Sequence, residues 1–375
     1  MNILEFRMKI LVNGYNLRQS AAGIATFAIN AVNALSFHAD LHFDIVVGPA
    51  ISSDILSRIR RCENIQIHII GSKKSSVWFF VDLPKYIRKS KFDLLWNPSP
   101  ILPFGVSRKI KKLVTVHDFV SREFRDTMTL SGRLVTRFCE RKIIDTADYL
   151  WCNSEYTKRK LNDYHPKRKC KEILVGGAPN SEIRKSIVGP DDSKKFLAHL
   201  GISKKYLLFV GSLEPRKNLK FLLEVFKEFH KTHNMQLVIV GARKWGTTHI
   251  ADVLNKEGFP KEDVIFTPFV VDADLCKLYT FSECYVSTAL NEGFGMPQAE
   301  AMKCESPVVA AHNSAMIEVV EGAGVTVKGW DISCWCDSIE YAMSHSKEIV
   351  EKQKQRIRKY SWDLISDSIY KIITG

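Results

Sequence analysis

Asn291-Glu292-Gly293-Phe294-Gly295-Met296-Pro297-Gln298-Ala299-Glu300-Ala301-Met302 sets two carboxylates eight positions apart across a glycine-rich turn. Gly293 and Gly295 let the backbone bend and approach a ligand closely, and Pro297 suits the first turn of a helix, where a missing N–H costs nothing. The spacing therefore predicts Glu292 on the loop and Glu300 on the helix. A helix start of this kind offers unpaired amides to an anion.

Upstream, the apolar run Tyr206-Leu207-Leu208-Phe209-Val210 leads into Gly211-Ser212-Leu213-Glu214-Pro215-Arg216-Lys217-Asn218-Leu219, which sets two adjacent cations at a strand-to-helix turn. Either piece alone is ordinary, since a Gly-x-Gly turn is usually only a turn and an Arg-Lys pair usually a solvated face. Together they supply amides and cations for phosphate and two carboxylates for hydroxyls, the description of a sugar diphosphate site.

On these two motifs, in this order and at this distance, the chain resembles the retaining nucleotide-sugar glycosyltransferases of family four. The resemblance covers nearly all of residues 8–375 and is sharpest from Gly211 to Pro307. It implies the α/β GT-B fold, two Rossmann-like domains facing across a cleft: 1–185 for the acceptor, 186–359 for the nucleotide-sugar, and 360–375 as a helix returning to the first domain. It implies that Arg216 and Lys217 bind the donor diphosphate, that Glu292 contacts the donor sugar, and that Glu300 reads the ribose hydroxyls. Gly211, Gly293, Phe294, Gly295 and Met296 are then donor contacts through their backbone.

His117-Asp118 closes the apolar run Leu113-Val114-Thr115-Val116 and so sits at the carboxyl end of a first-domain strand. The resemblance places this histidine near the donor's sugar ring; a satisfied structural histidine is the alternative. Gly23, in Ala21-Ala22-Gly23-Ile24-Ala25-Thr26, opens a helix after the first strand as a phosphate or acceptor contact or as a plain turn. Ala25 and Thr26 depart from the family's richer glycine loop. So do Asn291, Gln298 and Glu305 from its usual residues, departures that bear on the donor pocket and leave the carboxylate pair intact.

The octapeptide Gly211–Asn218 together with Val116-His117-Asp118 looks most like bacterial mannosyltransferases of surface polysaccharide (O-antigen, lipopolysaccharide) assembly, which makes GDP-mannose the first donor candidate and a glycan or lipid-linked glycan the acceptor. No cofactor and no metal is implied, because cations already face the diphosphate. Asp272-Ala273-Asp274 precedes Leu275-Cys276-Lys277-Leu278-Tyr279, so an aspartate there caps a helix more naturally than it holds a metal.

Length and composition agree with two domains. A chain of 375 residues with 45% apolar content exceeds one ordinary core. No apolar run reaches membrane-spanning length, and the first fifteen positions lack the apolar centre of a secretory signal, so a cytoplasmic chain, or one peripheral on the inner face of the cytoplasmic membrane, is expected. Residues 1–7 read as an extension before the first strand or as a misassigned start ahead of Met8. Nine cysteines show no zinc or redox spacing, Cys334-Trp335-Cys336 included.

The net charge of +13 belongs to the first half: residues 1–185 hold 31 Lys+Arg against 17 Asp+Glu, and the remainder 23 against 24. Clusters at Arg108–Lys112, at Arg133, Arg137, Arg141 and Lys142, at Lys158–Lys160 and at Lys167–Lys169 favour an anionic membrane surface or a lipid-linked phosphate rather than nucleic acid, with solubility alone and no partner as the alternative. Trp78-Phe79-Phe80-Val81-Asp82-Leu83-Pro84-Lys85-Tyr86-Ile87-Arg88 has an interfacial composition or packs beneath the sheet.

Strand-like runs alternate with amphipathic segments in both halves, and polar Pro179–Lys195 reads as the linker. Neither Gly-x-Gly-x-x-Gly after the first strand nor a Gly-x4-Gly-Lys-Ser/Thr loop is present, which argues against nicotinamide and ATP chemistry. A nucleotide-sugar epimerase on the same fold and a non-catalytic, membrane-associated binding module are the rivals.

Overall fold

The computed structural model describes residues 7–18, 23–102, 105–107, 109–123, 130–241, 248–267 and 270–375. Residues 1–6 of the leading stretch, Ala21 and Ala22 before Gly23, and Arg108 of the basic cluster lie outside them. The chain divides into two units, one running to Gly177 and resumed at Ser361–Gly375, the other Ala178–Tyr360. Both are α/β.

The first unit is built on β1 (Met8–Asn13), β2 (Leu41–Val47), β3 (Ile65–Ile69), β4 (Leu94–Asn97), β5 (Lys111–Val116), β6 (Tyr149–Cys152) and β7 (Ile173–Val175). They form one parallel sheet in the order β3-β2-β1-β4-β5-β6-β7. Strands covered on both faces are buried along their length, as in Leu41–Val47, where every residue is buried, His42 and Asp44 included. Trp96 and Trp151 stack at 5.7 Å in this core, and each indole N–H has a partner, Thr115 Oγ1 at 3.0 Å and the Gly176 carbonyl at 2.8 Å. Those partners are what let two large polar-tipped rings lie fully inside.

Helix Trp362–Thr374 belongs to this unit and packs on helix Gly23–Leu35. Ile365, Ile369 and Ile373 recur every fourth residue and are buried, the stripe a packed helix needs. Gly176 makes the approach possible, because a Cβ there would lie 2.9 Å from Ile365 Cγ1. Phe27 meets Trp362 at 5.2 Å, and the Tyr370 hydroxyl donates to Asp40 Oδ2 at 2.6 Å.

The segment from Ser75 to Lys89 is helical and two-faced. Trp78, Phe79, Leu83 and Ile87 join a core cluster with Leu11, Val46 and Leu95, while Phe80 and Val81 stay 56% and 55% exposed.

The second unit carries β8 (Tyr206–Val210), β9 (Gln236–Val240), β10 (Val264–Thr267), β11 (Cys284–Ser287), β12 (Val308–Ala311) and β13 (Val325–Val327), parallel, in the order β10-β9-β8-β11-β12-β13. Helix Leu219–Phe229 buries Leu219, Leu222, Leu223, Val225, Phe226 and Phe229, and packs on helix Ile332–Ser344.

The linker reading of Pro179–Lys195 does not hold. Pro190–His199 is a helix with Pro190 in its first turn and Asp191 and Asp192 beside it, so the residues that read as a polar loop are a helix start. Residues before it are tied to the second unit: Asn180 Nδ2 donates to Asp272 Oδ2 at 3.0 Å and the Ser186 N–H to Thr280 Oγ1 at 2.9 Å. The division accordingly falls at Gly177–Ala178 instead of residue 185.

Ile369 is 1% exposed in the contact between the terminal helix and helix Gly23–Leu35. Ile369→Ala is expected to lower the unfolding free energy of the first unit by about 2–4 kcal/mol in a urea titration. A change below ~0.5 kcal/mol would mean that the terminal helix is not part of that unit's core.

Candidate functional site

Open parallel sheets bind ligands beyond the carboxyl ends of their strands, where strand order reverses. In the second unit that reversal falls between β8 and β11, which pair through Leu207↔Cys284 and Leu208↔Tyr285. The turn after β8 carries Arg216 and Lys217 on a single 3-10 turn, Pro215–Lys217, closed by Asn218 at φ 53°. After β11 comes the turn bearing Glu292. Backbone joins the two: the Leu290 N–H donates to the Arg216 carbonyl at 2.8 Å, and Thr288 Oγ1 donates to the Asn218 carbonyl at 3.1 Å.

Three of the expected residues therefore meet. Arg216 Nη1 donates to Glu292 Oε2 at 3.0 Å and to the Asn291 carbonyl at 2.7 Å, and its Nη2 to Glu214 Oε1 at 2.6 Å. Lys217 Nζ donates to Glu292 Oε1, both residues being buried. Burial alone would raise the pKa of Glu292, but Lys217 and Arg216 outweigh it and hold the carboxyl below its ordinary range. Gly211 lies under this pair, with Lys217 Cε 3.5 Å from where a Cβ would stand.

Gly295 precedes helix Met296–Lys303 at φ 93°, a conformation that suits glycine, and no side chain caps that helix start. Gly293 is buried, Phe294 is buried against Tyr360 with ring centroids at 5.4 Å, and Met296 is half-buried. Glu300, on the same helix, accepts from the Tyr279 hydroxyl at 3.1 Å. Burial pushes its carboxyl up to about 7.

His117 and Gly23 belong to the first unit. His117 follows β5, and its Nε2 lies 2.7 Å from the Pro98 carbonyl. A carbonyl only accepts, so Nε2 carries the proton and Nδ1 of the neutral ring is an acceptor. Burial lowers the imidazole's pKa, which keeps the ring neutral, and Phe27 meets it edge-on at 4.8 Å. Gly23 is the first residue of its helix and is exposed, with open space where a Cβ would be.

Asp272 does not cap its helix; Val271 occupies that position, and Asp272 and Asp274 lie in the first turn, where the helix dipole favours acids. Glu305 stands at φ 64°, which explains a glycine preference there; its carboxylate pairs with Lys185 at 2.6 Å. Gln298 is wholly buried and donates to Ser287 Oγ at 2.8 Å.

Residues beyond those expected complete the site. Glu214 was legible only as part of a motif, yet it anchors the second arm of Arg216. Ser314, at φ 48°, accepts from the Glu292 N–H at 3.0 Å. Tyr279 holds Glu300 from a different helix. The last two are distant in sequence, and no spacing rule reaches them.

Residues 23–174 match the family model described as Glycosyltransferase Family 4, and residues 192–361 the model described as Glycosyl transferases group 1. Among curated proteins, O-antigen chain mannosyltransferase B of Escherichia coli is 32% identical over 129 residues, 34% of this chain and 34% of that protein. The first curated relatives are matched over only a third to a half of their length. Among solved structures, sucrose-phosphate synthase from Thermosynechococcus elongatus superposes with a TM-score of 0.77 at 16% identity, covering 98% of both chains. Anabaena Alr3699/HepE in complex with UDP-glucose gives 0.75 at 16% identity, covering 98% of this chain and 99% of that one. Likeness at this identity shows the fold, GT-B.

Folding raises the affinity of Glu300 for its proton, so its contribution to stability is complete below the unfolded value near 4.5 and is lost as pH rises through about 7. In denaturant titrations without nucleotide, Glu300→Gln is expected to gain on wild type by ~3 kcal/mol between pH 4.5 and pH 8. A difference that does not change with pH would show that the carboxyl titrates normally.

Proposed function

We propose, from the match of residues 23–174 to the Glycosyltransferase Family 4 model and of residues 192–361 to the Glycosyl transferases group 1 model, that the chain is a retaining hexosyltransferase. It moves a hexose from a nucleotide-sugar to a hydroxyl of a glycan or lipid-linked glycan in surface polysaccharide assembly. The observation that carries this reading is the meeting of Arg216, Lys217 and Glu292 at the point of strand-order reversal. That reversal is where a nucleotide belongs in such a sheet.

In this reading the two cations and the amides at the start of helix Met296–Lys303 hold the diphosphate and stabilise the charge that grows on it as the sugar departs. Side-chain cations do so without a metal. Glu292 accepts hydroxyls of the transferred hexose, and Glu300 the vicinal hydroxyls of the ribose. His117, neutral with Nδ1 as acceptor, serves the reacting sugar, and Gly23 the acceptor or a phosphate. Mannose from GDP-mannose is the first donor candidate, supported by the likeness to the O-antigen chain mannosyltransferase; the HepE complex makes a UDP-sugar the next to try.

The basic excess of residues 1–185 and the exposed Phe80 and Val81 support peripheral binding to an anionic membrane surface. Among the described residues no helix is long and apolar enough to cross a membrane.

Thermal shift with GDP-, UDP-, dTDP- and ADP-sugars is expected to single out one nucleotide, and Glu300→Ala to abolish its effect. Lys217→Ala is expected to lower kcat/KM for transfer by about 10²–10³. Epimerised donor formed without acceptor would replace transfer by epimerisation, and stabilisation by no nucleotide would favour a binding module.

Phosphatidylglycerol vesicles are expected to retain the protein at low salt and release it as ionic strength rises, with Phe80→Ser and Val81→Ser weakening retention. Equal retention on neutral phosphatidylcholine at high salt would remove the membrane from the reading.

A further inference from the structure

Resting on the reading of Arg216 and Lys217 as the diphosphate cations, we propose that Glu292 is an internal competitor for them. In the empty site its carboxylate holds both; when a nucleotide-sugar enters, it passes from the cations to the hydroxyls of the hexose.

Glu292 spends one oxygen on each cation, Oε2 on Arg216 Nη1 and Oε1 on Lys217 Nζ. The remaining arm of Arg216 is held by Glu214. Two carboxylates against two cations leave these four side chains without net charge. A nucleoside diphosphate is multiply negative, so it cannot settle here on charge excess; it must take donors that Glu292 and Glu214 now occupy. Glu292 and Lys217 are 8% and 7% exposed, which makes like-charge repulsion between the carboxylate and a phosphate strong and poorly screened.

The backbone of Glu292 stays fixed during such an exchange. Its N–H donates to Ser314 Oγ and its carbonyl accepts from the Ala315 N–H at 3.3 Å. Only the side chain need change partners. A buried carboxylate stripped of cations requires other donors, and the hexose hydroxyls are donors that the intact nucleotide-sugar brings and the product nucleotide lacks. After transfer, then, Glu292 has nothing to hold but Arg216 and Lys217. Its return to them expels the nucleoside diphosphate. The residue discriminates donor from product and sets how long the product stays.

Calorimetric titration of GDP and of UDP into the full-length protein tests this. Arg216→Ala and Lys217→Ala are each expected to weaken binding of the nucleotide the protein prefers. Glu292→Gln is expected to tighten it by at least about tenfold while lowering kcat. Damage to the site cannot produce that gain. Glu214→Gln frees one arm of Arg216 without touching Lys217; it is expected to tighten binding about threefold, and it decides the matter if Glu292→Gln does not fold. Weaker binding in both cation variants with no gain in the glutamate variants would overturn the competitor role and leave the diphosphate site standing. Unchanged binding in both cation variants would overturn the diphosphate site and the competitor together.

Discussion

A parallel strand cannot be followed directly by its neighbour, because the chain must first return to the sheet's other end. Every strand pair in both sheets is parallel and obeys this constraint, and helices occupy most of the connections. Where strand order reverses, successive crossovers leave in opposite directions and the loops beyond the strands part. Between β8 and β11 the parted loops are the ones carrying Arg216, Lys217 and Glu292. The site is thus a consequence of topology first and of side-chain chemistry second.

The chemistry shows in the two carboxylates. Glu292 and Glu300 stand in one short motif and are both buried, yet burial ends differently for each. Cations on Glu292 more than offset its desolvation and keep it ionised. Glu300 has a phenol donor in Tyr279 and Asp272 nearby, so desolvation prevails and its carboxyl holds a proton to about neutral pH. An ionised carboxylate can only accept, whereas a protonated one also donates. In the proposed reading, a ribose bringing two donors to Glu300 would favour its ionised form and couple nucleotide binding at that end to loss of a proton, while binding at the other end would exchange ion pairs.

Much of the fold was legible because both sheets are buried on both faces. Runs such as Tyr206–Val210 and Leu237–Val240 are apolar throughout and stand out from polar turns. The end of β11 and the start of helix Met296–Lys303 were legible from Gly293, Gly295 and Pro297, whose chemistry is local. Composition misled at Pro190–His199, since prolines and aspartates mark a helix's first turn as well as a loop. β13, three residues long, carries too short a pattern to declare itself. The partners of the site residues were not legible: Ser314 reaches Glu292 and Tyr279 reaches Glu300 only after the sheet has formed.

Two of the three non-glycine residues at positive φ among the described residues flank the same place; the third, Glu305, does not. Asn218 and Ser314 are non-glycine residues at φ 53° and 48°, and a left-handed residue costs roughly 1 kcal/mol unless its surroundings favour it. Asn218 closes the turn that presents Arg216 and Lys217; Ser314 supplies the hydroxyl that fixes the Glu292 backbone. Each strained residue therefore holds one side of the same ion-pair cluster. A cluster built for stability alone would not require strain on both sides, because buried ion pairs gain little over well-packed apolar side chains. On the proposed reading, positive φ at both anchors fits geometry that matches a third party, a diphosphate with its sugar, which would offer anionic oxygens to the cations and hydroxyls to the carboxylate.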